Sequence, residues 1–172
     1  KMTELAQEGD MVLCRLTAPL VSLAFALIAS GISAKVMGRD IGKGLAAFIR
    51  RAVKMARKNG ERTDLSGLVA AVEALVQADI RKLMAAGGDE DDARVVALSD
   101  KAECIKAIIR FSDDAETIED ILRVIGSLFS EGRASGTLCP GHRAKGLQGD
   151  RIFILQEEKM PLPFTKRAWQ HE

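Results

Sequence analysis

Apolar positions recur along this chain in two periods, and the change from one to the other divides it. Met11 to Cys14 is a short apolar run between Gly9-Asp10 and the charged Arg15, the pattern of a buried strand that ends at a loop. Thr17 can cap a helix with Pro19 in its first turn, where a missing N–H costs nothing; the helix runs to Ser30 and stops at Gly31. Ala34 to Met37 reads as a second short strand. Strand, helix and strand at this spacing predict a βαβ unit, which favours a parallel sheet covered by helices.

Helical spacing then takes over. Asp40 is the expected cap of a long helix whose apolar face is Ile41, Leu45, Phe48, Ile49, Ala52, Val53 and Ala56, ending at Asn59-Gly60. Leu65, Leu68, Val69, Val72, Leu75, Val76, Ile80 and Leu83 keep the same period until Gly87-Gly88. Further helices are predicted from Ala93 to Phe111 and from Asp114 or Thr117 to Phe129. Strand signals return only at Thr137-Leu138-Cys139 and from Arg151 to Leu155. The expected architecture is an α/β domain built from residues 1–59 and 131–172, a parallel sheet flanked by helices, interrupted by an all-helical insertion at 60–130.

Composition narrows what such a domain can bind. Over 172 residues, 25 Lys+Arg against 24 Asp+Glu leave a formal charge of +1, so any contact with nucleic acid must come from a local patch. Aromatic residues make up 4% with no tyrosine, which argues against a stacking-based RNA-recognition sheet. Cys14, Cys104 and Cys139 stand apart in sequence and read as reduced, mostly buried thiols of a cytoplasmic protein. The apolar stretch from Ala18 to Ile28 is about half a membrane span, and the acidic start (Glu4, Glu8, Asp10) is unlike a signal peptide, so no membrane partner is expected. Lys-Met-Thr at one end and Trp-Gln-His-Glu at the other read as cuts in a longer chain.

The segment Gly141-His142-Arg143-Ala144-Lys145-Gly146-Leu147-Gln148-Gly149-Asp150 feeds the last strand and carries the most chemistry. Its glycines let backbone approach a ligand, while His142, Arg143 and Lys145 supply donors and charge; a phosphate-facing loop and a solvated basic turn both fit. Arg15 closes the first strand, at the edge where open parallel sheets bind ligands, and can be a phosphate clamp or an ion-paired surface arginine. The acidic run Asp89-Glu90-Asp91-Asp92 is better read as a helix start than as a metal site. Gly38-Arg39-Asp40-Ile41-Gly42-Lys43-Gly44 is too short for a Walker-type phosphate loop and lacks a Ser/Thr after Lys43, so it is expected to be a strand-to-helix turn. The two histidines, His142 and His171, complete no nucleophile-base set and no metal constellation.

Residue order adds a family. His142-Arg143-Ala144-Lys145-Gly146-Leu147-Gln148, followed by Arg151-Ile152-Phe153-Ile154, resembles motif V of the UvrD-like superfamily 1 DNA helicases. Asp10 to Val21 looks like their motif IV, and Gly31 to Ile41 is similar to the segment after it, so the resemblance covers residues 9–55 and 134–165. It implies the second RecA-like motor domain of a helicase, split by an inserted subdomain and lacking the end of its own fold. ATP with Mg2+ would bind between two motor domains, the Mg2+ held by the first motor domain of the same chain, with single-stranded and duplex DNA as the other partners. By the same resemblance Arg15 is the catalytic nucleotide-phosphate contact. Gln148 replaces a glutamate that hydrogen-bonds the nucleotide sugar, Lys145 and Gly146 line the junction of nucleotide and DNA, and His142, Arg143 and Lys145 face DNA. Pro140, Gly141 and Gly149 depart from the family's usual threonine, aliphatic and bulky residues. The rival is a non-enzymatic helical interaction module whose α/β ends brace long amphipathic helices.

Overall fold

The structure, a computed structural model, describes residues 10–89, 92–130 and 136–159. Gly9, Glu90, Asp91 and His171, each named above, lie outside the described residues. The chain divides into two compact units, one of Lys1–Met37 and Arg133–Glu172, the other of Gly38–Gly132.

The first unit is a four-stranded sheet of β1 (Asp10–Cys14), β2 (Ala34–Val36), β3 (Gly136–Pro140) and β4 (Ile152–Leu155), with helix α1 (Thr17–Ala29) joining β1 to β2. All its pairings are parallel, in the order β2-β3-β1-β4. The expected strand-helix-strand unit is present, but β1 and β2 are not neighbours: β3 lies between them and pairs with both. A parallel partner must enter from a crossover, and here one is supplied by a segment more than a hundred residues later in sequence. Short apolar runs become strands because both faces near the sheet centre are buried. Val12, Cys14, Val36 and Leu138 share the face that α1 covers, where Leu27 Cδ1 lies 3.4 Å from the place a Gly136 Cβ would occupy. Met11 and Cys139 are buried on the opposite face. On that face the edge strand β4 exposes Ile152 and Ile154, each 53% accessible.

The second unit holds α2 (Arg39–Lys58), α3 (Leu65–Ala85), α4 (Ala93–Arg110) and α5 (Ile118–Leu128). Each helix packs on the next, and α5 closes the set by packing on α2. The predicted apolar stripes supply Leu45, Phe48, Ile49 and Ala52 of α2 and Leu68, Val72 and Leu75 of α3 to its core, where Ile105 and Ile108 of α4 and Ile121 and Ile125 of α5 are also buried. The division drawn from sequence at 59/60 falls after α2, whereas the compact units divide before it, at Gly38.

Helix entries follow local chemistry, with two departures from expectation. Thr117 and Asp120 form a reciprocal capping box, which settles the start of α5 at Thr117 and not Asp114. Thr17 and Asp40 are not caps. Thr17 is the first helical residue behind an extended Leu16, and Asp40 lies in the first turn of α2 behind Gly38, whose φ of 125° only glycine adopts readily. The strand-to-helix turn read from sequence over Gly38 to Gly44 is therefore confined to the bend at Gly38, since Arg39 to Gly44 already form the first turns of α2.

Candidate functional site

Parallel register brings the chain's two ends to one edge. Cys14 is level with Pro140 on one side and with Leu155 on the other. The next residues, Arg15, Gly141 and Gln156, therefore leave the sheet side by side at its C-terminal edge, on strands about 4.8 Å apart. In open parallel sheets this is the edge at which helix and loop termini leave room for a ligand. Arg15 sits in a bend, half-buried, between β1 and α1.

After β3 the chain makes one 3-10 turn, Gly141–Arg143, then a second turn in which the Leu147 amide donates to the Ala144 carbonyl at 3.1 Å. Gly146 occupies the third position of that second turn at φ 82°, which a side chain would disfavour. The consequence is that His142, Lys145, Gly146 and Gln148 are all exposed. Arg143 behaves differently. It is half-buried, and its positive charge acts on the buried Cys139 thiol, whose proton affinity burial raises and the arginine partly lowers. The basic loop thus offers His142 and Lys145 to solvent while Arg143 turns toward the sheet.

The far end of the loop is pinned. Asp10, 3% accessible, accepts from Arg151 Nε at 2.8 Å and from a terminal guanidinium nitrogen at 2.7 Å, and the Met11 amide donates to the Arg151 carbonyl at 2.9 Å. This fork-like pair ties the start of β4 to the start of β1, at the edge opposite Arg15. Arg15 lies about 16 Å along an extended strand from Asp10, and the three residues from Gln148 to Arg151 span at most about 11 Å. The backbone of Gln148 is therefore already on its way back across the sheet, and only its side chain can reach toward the edge. Arg15, His142, Lys145 and Gly146 share one end of the sheet; Gln148 lies part-way down, and Arg143 is the member that turns inward.

Gln156 was not among the residues singled out from sequence. It has φ 54°, the one described non-glycine residue with positive φ, and its Oε1 is buried and accepts no hydrogen bond from a described residue. A left-handed backbone and an unsatisfied amide oxygen beside Arg15 are the kind of cost that functional edges carry. Nothing in the residue type signals it. The only available sign was its place one residue past a predicted strand.

The remaining candidates have structural jobs. Asp92 caps α4, accepting from the Arg94 amide at 2.8 Å, and the Arg94 guanidinium and amide hold its carboxyl down at about 2. Among the described residues no group of three His, Cys, Asp or Glu could hold a metal ion. Gly42 packs where a Cβ would come within 2.7 Å of the Phe129 Cβ, so its neighbourhood in α2 reflects close helix packing. The cysteines are free and buried, with Cys14 and Cys139 one register step apart on opposite faces of the sheet. No described helix is long and apolar enough to cross a membrane. No protein-family model, curated protein or solved structure matches this chain.

Proposed function

We propose that the chain is part of the second motor domain of an ATP-dependent DNA helicase or translocase moving 3′ to 5′, a RecA-like sheet interrupted by a helical insertion. One observation carries this reading: Arg15 and the 141–148 loop, from opposite ends of the sequence, leave adjacent parallel strands at the same edge. The donor set there suits an anion. Arg15 is a guanidinium at a strand end, and the loop that opens beside it at Gly141 carries a second cation, Lys145, and the exposed backbone of Gly146. In the proposed roles Arg15 clamps a nucleotide phosphate, with Lys145 and Gly146 at the junction and the Gln148 amide reaching for the sugar. His142 and Lys145 touch the DNA strand. Arg143, half-buried against the sheet, positions the loop more than it contacts DNA. The Mg2+ belongs in this reading to the first motor domain, and bound ATP supplies the phosphoryl group whose hydrolysis drives movement.

The test uses the full-length protein. Arg15→Ala is expected to lower ATP turnover about a hundredfold, the scale of losing one preorganised charge contact, while changing DNA affinity less than about threefold. His142→Ala is expected to do the reverse. Equal effects of both changes on both assays would overturn the roles, and robust ATP turnover by this 172-residue chain alone would overturn the assignment. A non-enzymatic interaction module is the second reading, favoured by the helical unit having a core of its own. Under it neither variant alters any nucleotide-dependent activity.

A further inference from the structure

The helical unit carries a basic stripe that its own packing does not use. Along α2, Arg39, Lys43, Arg50, Lys54 and Arg57 fall within about 60° of one another at 100° per residue, over a length of about 27 Å. All five are exposed, and none makes an ion pair with a described residue. Acidic partners are plentiful elsewhere in this unit: Arg51 pairs with Asp79, Arg94 with Asp92, and Lys106 with Glu73 and Glu103.

The stripe walls a groove between α2 and α5. Two adjoining hollows of about 600 Å³ each, sharing Arg50 and Leu122, run along it; Arg39 and Lys43 line one, Lys54 and Arg57 the other. Its floor is apolar, made by Ile49, Val53, Leu122 and Ile125. Gly126 forms part of the α5 wall. It is exposed, within a helix, and a Cβ there would meet nothing within 4 Å. Packing therefore does not require glycine at this place, although glycine weakens a helix; what its missing side chain does is leave the groove open.

We propose that this groove is a docking site for an acidic amphipathic helix of a protein partner. An apolar floor with cations along one wall complements a helix whose apolar stripe is flanked by carboxylates. Single-stranded nucleic acid fits less well: the groove's aromatic residue, Phe129, is 2% accessible and offers no stacking face, and Glu119 stands on the far wall. The groove lies wholly within the helical unit, so the proposal does not depend on the motor reading.

The test is fluorescence anisotropy of the 172-residue chain with three labelled probes. These are a designed helix of roughly 20 residues with a leucine face and flanking glutamates, the same helix with lysines for glutamates, and an oligothymidine strand of similar length. The acidic helix is expected to bind and to weaken with added salt, the basic helix not to bind, and the oligothymidine to bind less tightly. Lys43→Glu with Arg50→Glu should weaken the acidic helix at least tenfold and gain affinity for the basic one. Gly126→Leu should weaken the acidic helix by occlusion without altering charge. Arg81→Glu, on exposed α3 surface away from the groove, should leave binding unchanged. Thermal melts verify that each variant is folded. Absent binding of the acidic helix, unchanged binding by the folded double variant, or tighter binding of oligothymidine that the double variant abolishes would each overturn the proposal.

Discussion

In the helical unit each helix packs on the one before it and α5 returns to α2, whereas in the sheet unit β1 pairs, among the described residues, with nothing nearer in sequence than Gly136. Both units bury apolar side chains, but in the helical unit only the closure of α5 on α2 is distant in sequence, whereas every strand pairing of the sheet unit is. The helical unit draws its core from stripes that any 3.6-residue period produces. The sheet unit's core and its ligand edge exist together, because the register that seals Val12 against Leu138 also places Arg15 beside Gly141. Exposed chemistry follows the same division: a shared edge of loops in one unit, a helix flank in the other.

The largest expected effect separates the two units by packing. Phe129 is 2% accessible and fills the space that Gly42 leaves on α2. Phe129→Ala should destabilise the helical unit by about 3–5 kcal/mol, the range for emptying a buried aromatic site. Hydrogen exchange is the measurement: protection should fall most in α2 and α5 and least in β1 and β3. An equal fall in the strands would show that the units do not differ in the way described.

Arg151→Ala should act on the sheet unit instead. It leaves the buried Asp10 carboxylate without its fork, and because the arginine side chain is 43% accessible the loss should be smaller than that at Phe129. Urea unfolding followed through strand amides should detect it, and adding Asp10→Asn should recover part of the loss. No recovery would mean that the pair holds β4 by shape and not by charge.

The smallest effect is acid sensitivity of the helix caps. Hydrogen bonds from Ser66, Arg62 and the Gly67 amide hold the Asp64 carboxyl down at about 2, Asp92 is held equally low by Arg94, and Thr117 lowers Asp120. A folded-state value below the ordinary 3.8 means that the caps contribute fully above about pH 4 and lose that contribution as pH falls toward 2. Thermal melts of the helical unit should therefore weaken across that window, and Asp92→Asn should flatten the dependence. A melt unchanged between pH 4 and pH 2.5 would remove these caps as a source of stability.

Much of this was readable beforehand, for a physical reason. Helices α2 to α5 and all four strands announce themselves through apolar period and through turn residues such as Asn59-Gly60. Arg15 and the Lys145-Gly146 turn were named from residue order; what the structure adds is that Arg15 and Gly141, which opens that loop, leave adjacent strands. The insertion of β3 between β1 and β2 was not, since which strands pair is decided by contacts that no local window contains. Arg143 could not be separated from His142 and Lys145, because its burial depends on how the 3-10 turn faces Cys139. Gln156 was hidden more deeply, as backbone strain leaves no mark on residue identity.

The wedged position of β3 sets an order of events for a nascent chain. Of the four described strands β1 is made before the others, and its two neighbours in the sheet follow only after the whole helical unit has been made. The helices, three of whose four packed pairs are neighbours in sequence, can begin to assemble early, while the strands wait on the slow closure of a long loop. For that interval Met11 to Leu13 is an apolar strand without its native partners, a template for self-association, and the hazard grows with every delay in synthesis before residue 136 unless a holding chaperone covers the strand.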